Sequence, residues 1–161
     1  VELAGPKNFS VSIQRADERD LEVILELQKR SYLSEARIYN DYSIPPLLQT
    51  INSIRNEFRS HVFLKAVWND QIVGSVRGCL SESTILIGKL IVDDLFQNQG
   101  IGQRLMDAVE KEFPDAKRAE LFTGSFSLKN LYLYQKLGYR EFRRVQLSDS
   151  LTLVFLEKHI G

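Results

Sequence analysis

The stretch from Leu90 to Met106, LIVDDLFQNQGIGQRLM, places two glycines one residue apart between an apolar run and a helix-like pattern. Strand, tight turn and helix together make an anion site. The first backbone N–H groups of a helix have no partner within it, and they point outward with the positive end of the helix dipole. Gly100 and Gly102 remove the Cβ atoms that would hold a phosphate away, and Gly100 can adopt a positive φ. Two common nucleotide signatures are excluded. A Walker loop needs Lys and Ser/Thr after the second glycine, where this chain has Gln103 and Arg104. A dinucleotide fingerprint needs a small residue at position 105, which is Leu. The glycines alone also admit a plain turn with a close helix–strand contact. Other chemistry is thinly supplied. His61, His159 and Cys79 do not cluster, so no metal site is expected. Cys79 lies in a predicted strand with no histidine near it in sequence, and reads as a small buried residue, not a nucleophile.

Hydrophobic periodicity predicts the elements that position this turn. FSVSIQRA alternates Phe9, Val11 and Ile13 with polar residues, as a strand does. Asp17 is placed to cap a helix reaching about Leu33, with Leu21, Ile24, Leu25 and Gln28 at helical spacing. SYLSEARIYNDYSIPP reads as a loop or broken helix ending at Pro45-Pro46, and a second helix follows with Leu47, Leu48, Ile51, Ile54 and Phe58 inward. The period then changes. HVFLKAVW, QIVGSVRGCL and STILIGKLIVDD read as three strands, with turns at Asn69-Asp70 and Ser81-Glu82-Ser83. Leu105, Met106, Val109 and Phe113 trace a helix that Pro114 ends, RAELFTG is a short strand, and SLKNLYLYQKL is a helix closed by Gly138. YREFRRVQL and LTLVFLEK form a last hairpin. The expected fold class is α/β (α+β), in the order β-α-α-β-β-β-α-β-α-β-β. It is a mixed, mostly antiparallel sheet of about seven strands with four helices on its faces.

Two segments at a set separation carry a resemblance. Gln97-Asn98-Gln99-Gly100-Ile101-Gly102 resembles the Gln/Arg-x-x-Gly-x-Gly/Ala signature of the GNAT superfamily of N-acetyltransferases. SLKNLYLYQKLGY, Ser127 to Tyr139, resembles that family's helix with a late tyrosine followed by Leu-Gly-Phe/Tyr. The predicted element order is similar to the family fold over nearly the whole chain. The resemblance implies acetyl-CoA as co-substrate, with Gln97, Asn98, Gln99, Gly100, Ile101, Gly102 and Gln103 around its pyrophosphate. It implies that pantetheine inserts beside a splayed fourth strand at Leu90, Ile91 and Val92, a form of β-augmentation. The sequence departs from the pattern where many members carry Asn seven residues before the helix tyrosine. Here that residue is Ser127, and Asn130 follows one turn later. Ser127, Asn130 and Tyr134 share an arc of roughly 60° on the helix, so either Ser127 or Asn130 could meet the pantetheine arm.

Acetyl transfer to an amine needs a held donor, a neutral amine, a stabilised oxyanion and a proton for the leaving sulfur. By motif position Tyr134 is the general acid, since a phenol of pKa about 10 is protonated at neutral pH. The base is open among Glu82, at the mouth of the fourth strand, Glu35 and Asp41 in the expected loop, and a water chain. That loop forms the acceptor wall in the family, which makes Tyr32, Glu35, Tyr39 and Asp41 candidate acceptor contacts. The expected activity is transfer of acetyl from acetyl-CoA to a primary amine of a small molecule or peptide by direct attack in a ternary complex. A non-catalytic acyl-CoA-binding or sensing module on the same fold, or a plain interaction domain, would keep the same glycines.

Composition narrows the setting. The 161 residues predict one domain, 1–161, able to bury roughly 70% of its unfolded surface. Lys and Arg balance Asp and Glu at 21 each, which argues against a nucleic-acid partner. No apolar run approaches ~18 residues, and VELAGPKNFS lacks the pattern of a signal peptide, so neither a membrane span nor secretion is expected. A single cysteine fits a cytoplasmic setting. Monomer and homodimer both remain open, with Phe142 and the last hairpin as a candidate edge.

Overall fold

The computed structural model describes residues 10–161. Phe9, expected to open the first strand, lies outside the described residues. The first strand, β1, spans Ser12–Arg15. Asp17 then closes a capping box: its carboxylate accepts from the Arg19 N–H, and Asp20 accepts from the Asp17 N–H. A 3₁₀ turn over Glu18–Asp20 leads into α1, Leu21–Tyr39.

Helix α1 runs well past the expected end near Leu33, so the segment read as a loop is largely helical. No glycine or proline interrupts residues 31–39. Ala36 and Tyr39 continue the buried stripe, and Asn40 ends the helix in the left-handed region at φ 48°. The single helix expected over residues 47–58 is split. Pro45–Leu48 forms α2, with prolines at positions where no N–H is needed, and Ile51–Phe58 forms α3, capped by Thr50 on the Ser53 N–H. Leu48 is therefore exposed instead of inward, while Ile54 is fully buried. The split gives five α-helices among the described residues where four were expected.

The remaining elements are β2 Val62–Trp68, β3 Gln71–Ser81, β4 Thr84–Val92, α4 Ile101–Lys111, β5 Arg118–Gly124, α5 Leu128–Lys136, β6 Arg140–Gln146 and β7 Thr152–His159. Phe113, expected inside the helix that forms α4, lies just past its end and still packs on the core. The strands form one mixed, mostly antiparallel sheet in the order β1-β2-β3-β4-β5-β7-β6. Asn69 and Asp70 both have positive φ, the backbone that a tight β2–β3 hairpin requires. Helices α4 and α5 cover one face, where Leu105, Met106, Val109 and Tyr134 pack on Ile85, Ile87 and Leu121. Helices α1 and α3 cover the other face around Leu21, Ile24, Ile54 and Phe63.

Two features of β4 open the sheet. Ser75 pairs with Ile91 but Arg77 pairs with Gly88, so β4 carries one extra residue at a β-bulge, where Lys89 has φ 49°. The parallel pairing of β4 with β5 covers only Thr84↔Arg118, Ile85↔Ala119 and Leu86↔Glu120. Past Leu86 the two strands part, while β5 stays paired with β7 from Arg118 to Gly124.

Candidate functional site

The parted strands lead into a cavity of about 680 Å³ bounded by β4, the start of α4, α5 and the second half of α1. Leu90, Ile91 and Val92 form one wall. Gln97, Asn98, Gly100, Ile101, Gly102 and Gln103 form the next, and Gln99 stays out of it. Gly100 is the N-cap of α4 in the left-handed region at φ 78°, and no side chain caps the helix. The α4 amides therefore face the cavity without a capping partner, as an anion site needs. The loop is tied down: Gln97 Nε2 donates to the Val92 carbonyl at 3.0 Å, and Lys129 Nζ donates to Gln97 Oε1. Gly102 sits where three elements converge. A Cβ there would lie 3.4 Å from Leu133 and 3.7 Å from Leu90, tolerable contacts that would narrow the passage between α4 and α5.

A hydrogen-bonded chain crosses from α1 to α5 at the other end of the cavity. Ser127 Oγ donates to Glu35 Oε2 at 3.1 Å, and Asn130 Nδ2 donates to Glu35 Oε1 at 3.0 Å and to Thr123 Oγ1 at 3.3 Å. Tyr39 Oη lies 2.8 Å from Ser127 Oγ and accepts from the Phe126 N–H at 2.9 Å. With Ser127 donating to Glu35, Tyr39 must donate to Ser127, so each hydroxyl proton has one place to go. Gly124 makes this contact possible, because a Cβ there would stand 2.0 Å from Tyr39 Oη. Ser127 and Asn130, candidate contacts for a ligand arm, are thus both engaged by Glu35.

Burial raises the Glu35 pKa above the ordinary carboxylate value, and the bonds from Ser127 and Asn130 pull against that rise. Tyr134 is buried behind the cavity wall, 6% exposed, with its ring 6.2 Å from that of Tyr139. Burial raises its pKa further above 10, with Tyr32 and Glu35 near enough to add to the rise. Tyr32 lines the cavity, and burial pushes its phenol up to about 12 against the pull of Arg77.

Two of the sequence-predicted residues do not join this group. Glu82 occupies the exposed β3–β4 turn, at the end of β4 remote from Leu90–Val92, so its carboxylate stands at the wrong end of the strand to serve as base. Asp41 turns back to accept from the Ser43 N–H and hydroxyl just past the end of α1, outside the cavity wall. Tyr39 also stays out of the wall and acts from behind it, through Ser127.

Sequence reasoning missed two groups. Lys129 and Lys136 line the cavity from α5 and bring positive charge to the side facing the glycine turn. Their spacing with Leu133 on one helix face was the available signal. Arg77 is buried in β3, donating to Glu57 Oε1 at 2.6 Å and Gln28 Oε1 at 2.6 Å, with its guanidinium 4.3 Å from the Phe63 ring centre. An arginine inside the run QIVGSVRGCL was the signal there.

Among the described residues, no group of three metal-ligating side chains is gathered, and no helix is long and apolar enough to cross a membrane. A family model, acetyltransferase (GNAT) domain, matches residues 39–160. No curated protein matches the sequence. Solved structures do. A GNAT-family acetyltransferase from Staphylococcus aureus Mu50 superposes with a TM-score of 0.76 at 22% identity, over 94% of this chain and 100% of that one. The ribosomal-protein-S18-alanine N-acetyltransferase of Escherichia coli gives 0.76 at 13% identity, over 94% of each chain. The PaiA N-acetyltransferase of Thermoplasma acidophilum, in complex with coenzyme A, gives 0.68 at 19% identity, over 94% of this chain and 99% of that one. At these identities the likeness is one of fold.

Proposed function

This chain belongs to the GNAT acetyltransferase family, and from that premise we propose that it moves an acetyl group from acetyl-CoA to a primary amine by direct attack in a ternary complex. One domain spanning residues 1–161 carries the reaction. The observation that carries the reading is the continuity of one cavity from the uncapped start of α4, through the β4–β5 opening, to Glu35.

The residues present fit the donor. Backbone amides of Ile101, Gly102 and Gln103 offer hydrogen bonds to a diphosphate, and Lys129 and Lys136 add charge. Main-chain groups of Leu90–Val92 that face away from β3 have no strand partner among the described residues; the Val92 carbonyl takes Gln97, and the others are available to the pantetheine amides. A backbone N–H beyond the bulge polarises the thioester carbonyl, and such a donor is worth roughly 3–4 kcal/mol of barrier. Glu35 takes the proton that the amine loses as nitrogen bonds to the carbonyl carbon. The C–S bond then breaks, and Tyr134 Oη donates its proton to the departing sulfur. Engagement of the pantetheine arm by Ser127 or Asn130 competes with their bonds to Glu35, so donor binding frees that carboxylate for the amine.

A panel of amines incubated with acetyl-CoA, read by release of free thiol, tests the proposal. At least one amine class should give thiol release and an equal yield of acetylated product. Tight coenzyme A binding with no transfer to any amine would leave a non-catalytic CoA-binding module instead.

A further inference from the structure

On the face of the sheet covered by α1 and α3, two cations share one carboxylate. Glu57 Oε1 lies 2.6 Å from Arg77 Nη1, and Glu57 Oε2 lies 3.6 Å from Lys89 Nζ. Gln28 and Gln49 complete the cluster with neutral groups, and Arg77 Nε has no acceptor. The cluster therefore holds one positive charge more than it neutralises. Its two cations differ in access: 2% of the Arg77 side chain is exposed, against 26% for Lys89. Lys89 is also the residue that the bulge turns toward this face, two positions from Ile91 in the cavity wall.

Beside Lys89 the face is open. Gly88 opposes Arg77 in the antiparallel pair and so projects to the same side. Apart from its own chain neighbours, no described residue comes within 4 Å of where a Cβ at Gly88 would stand. Leu86 lies two residues back on the same side, and its partner Glu120 places Phe122 there as well. These two apolar side chains are 40% and 55% exposed. An open, half-apolar surface thus begins at an under-neutralised cation, two residues along β4 from Ile91 in the cavity wall, where the amine must arrive.

We infer that the acceptor is an apolar amino acid, bound with its carboxylate on Lys89, its side chain over Gly88 between Leu86 and Phe122, and its amine toward Ile91 and Glu35. The assignment rests on the acetyl-transfer reading above. It makes Lys89 a specificity-determining residue, because a neutral acceptor leaves the excess charge unanswered while an amino-carboxylate supplies the missing anion.

The test compares phenylalanine and leucine with their carboxamides, by calorimetry on the CoA-bound protein and by thiol release. The unaltered protein should prefer each acid to its amide by about tenfold, the scale of one charge-assisted hydrogen bond. Lys89→Gln should bring that ratio close to one, and Lys89→Arg should keep it. Equal handling of acid and amide by the unaltered protein, or a preference that survives Lys89→Gln, would overturn the inference and leave acetyl transfer standing. Transfer to other amines with neither amino acid bound would overturn it too. Failure of coenzyme A to bind at all would sink the acetyl-transfer reading, and calorimetry of the acids on the free protein would still report on the Lys89 site.

Discussion

In the proposed reaction the departing thiolate takes its proton from Tyr134, whose side chain is buried, 6% exposed. The burial that raises its phenol pKa also raises the basicity of a sulfur leaving beside it, so the transfer is matched in the transition state. Tyr134→Phe keeps the ring packing on Tyr139 and removes only the hydroxyl. Turnover should fall about 100-fold, the usual scale of general-acid catalysis, with coenzyme A affinity unchanged. Unaltered turnover in a steady-state assay would remove Tyr134 from the mechanism. For Glu35 the sign of the pH effect is set by burial. Its folded pKa lies above the unfolded one, so the folded state holds the proton more tightly and stability falls as pH rises between the two. As a base it must be ionised, so kcat/KM should rise through the same interval. Glu35→Gln, which keeps one acceptor oxygen for Ser127 or Asn130 and, like the protonated acid, carries a donor on its other arm, should abolish the acidic limb of the rate profile. It should also unfold at a higher temperature than the unaltered protein at pH 7, with the difference gone below about pH 4. Paired melts and pH–rate profiles check both. The bare turn at Gly100 and Gly102 was legible from type and spacing, and Gly100 takes the positive φ expected of it at the start of α4. The Glu35 cluster was not, because it joins residues 92 and 95 positions apart, a juxtaposition that only the closed fold creates.

At the scale of elements, the uncapped start of α4 and the second half of α1 shape the cavity from opposite ends. Gly102 is helical, and the space around it admits a methyl group without a clash. Gly102→Ala should therefore stabilise the free protein by up to ~1 kcal/mol through helix propensity. The same methyl enters the passage between Leu90 and Leu133, so coenzyme A should bind more weakly, by tenfold or more. Chemical denaturation and calorimetry together read the two opposed effects. Loss of stability with affinity intact would mean that the glycine serves packing alone. The extension of α1 shows why the sequence misled here. Ser31, Ser34 and Glu35 are polar because they line a cavity, and polar residues at the end of a helical pattern imitate a loop. Thr50 is a comparable case: a cap inside an apolar stripe was read through, although it ends one helix and begins another.

For the whole molecule, the bulge in β4 and the short β4–β5 pairing open a cavity in the sheet without any added element. The meander and the crossover were readable from alternation and turn chemistry. The insertion of β7 between β5 and β6 was not, since strand order depends on pairings remote in sequence. It anchors β5 along its full length from one side, which allows the other side to stand open. A ligand that bridges that opening should stabilise the fold as a unit. Coenzyme A at 100 times its Kd should add about 2.7 kcal/mol, a rise in Tm of roughly 5–11 °C for a chain of this size. A melting curve that does not move would mean that nothing binds. The most direct test of the central claim is a coenzyme A titration of ¹⁵N-labelled protein followed by amide resonances. The account predicts that Gly100 to Gln103 and Leu90 to Val92 shift together and saturate at one affinity, while the amides of α2 and α3 stay put. Saturable binding that leaves the Gly100 to Gln103 amides unmoved would contradict it.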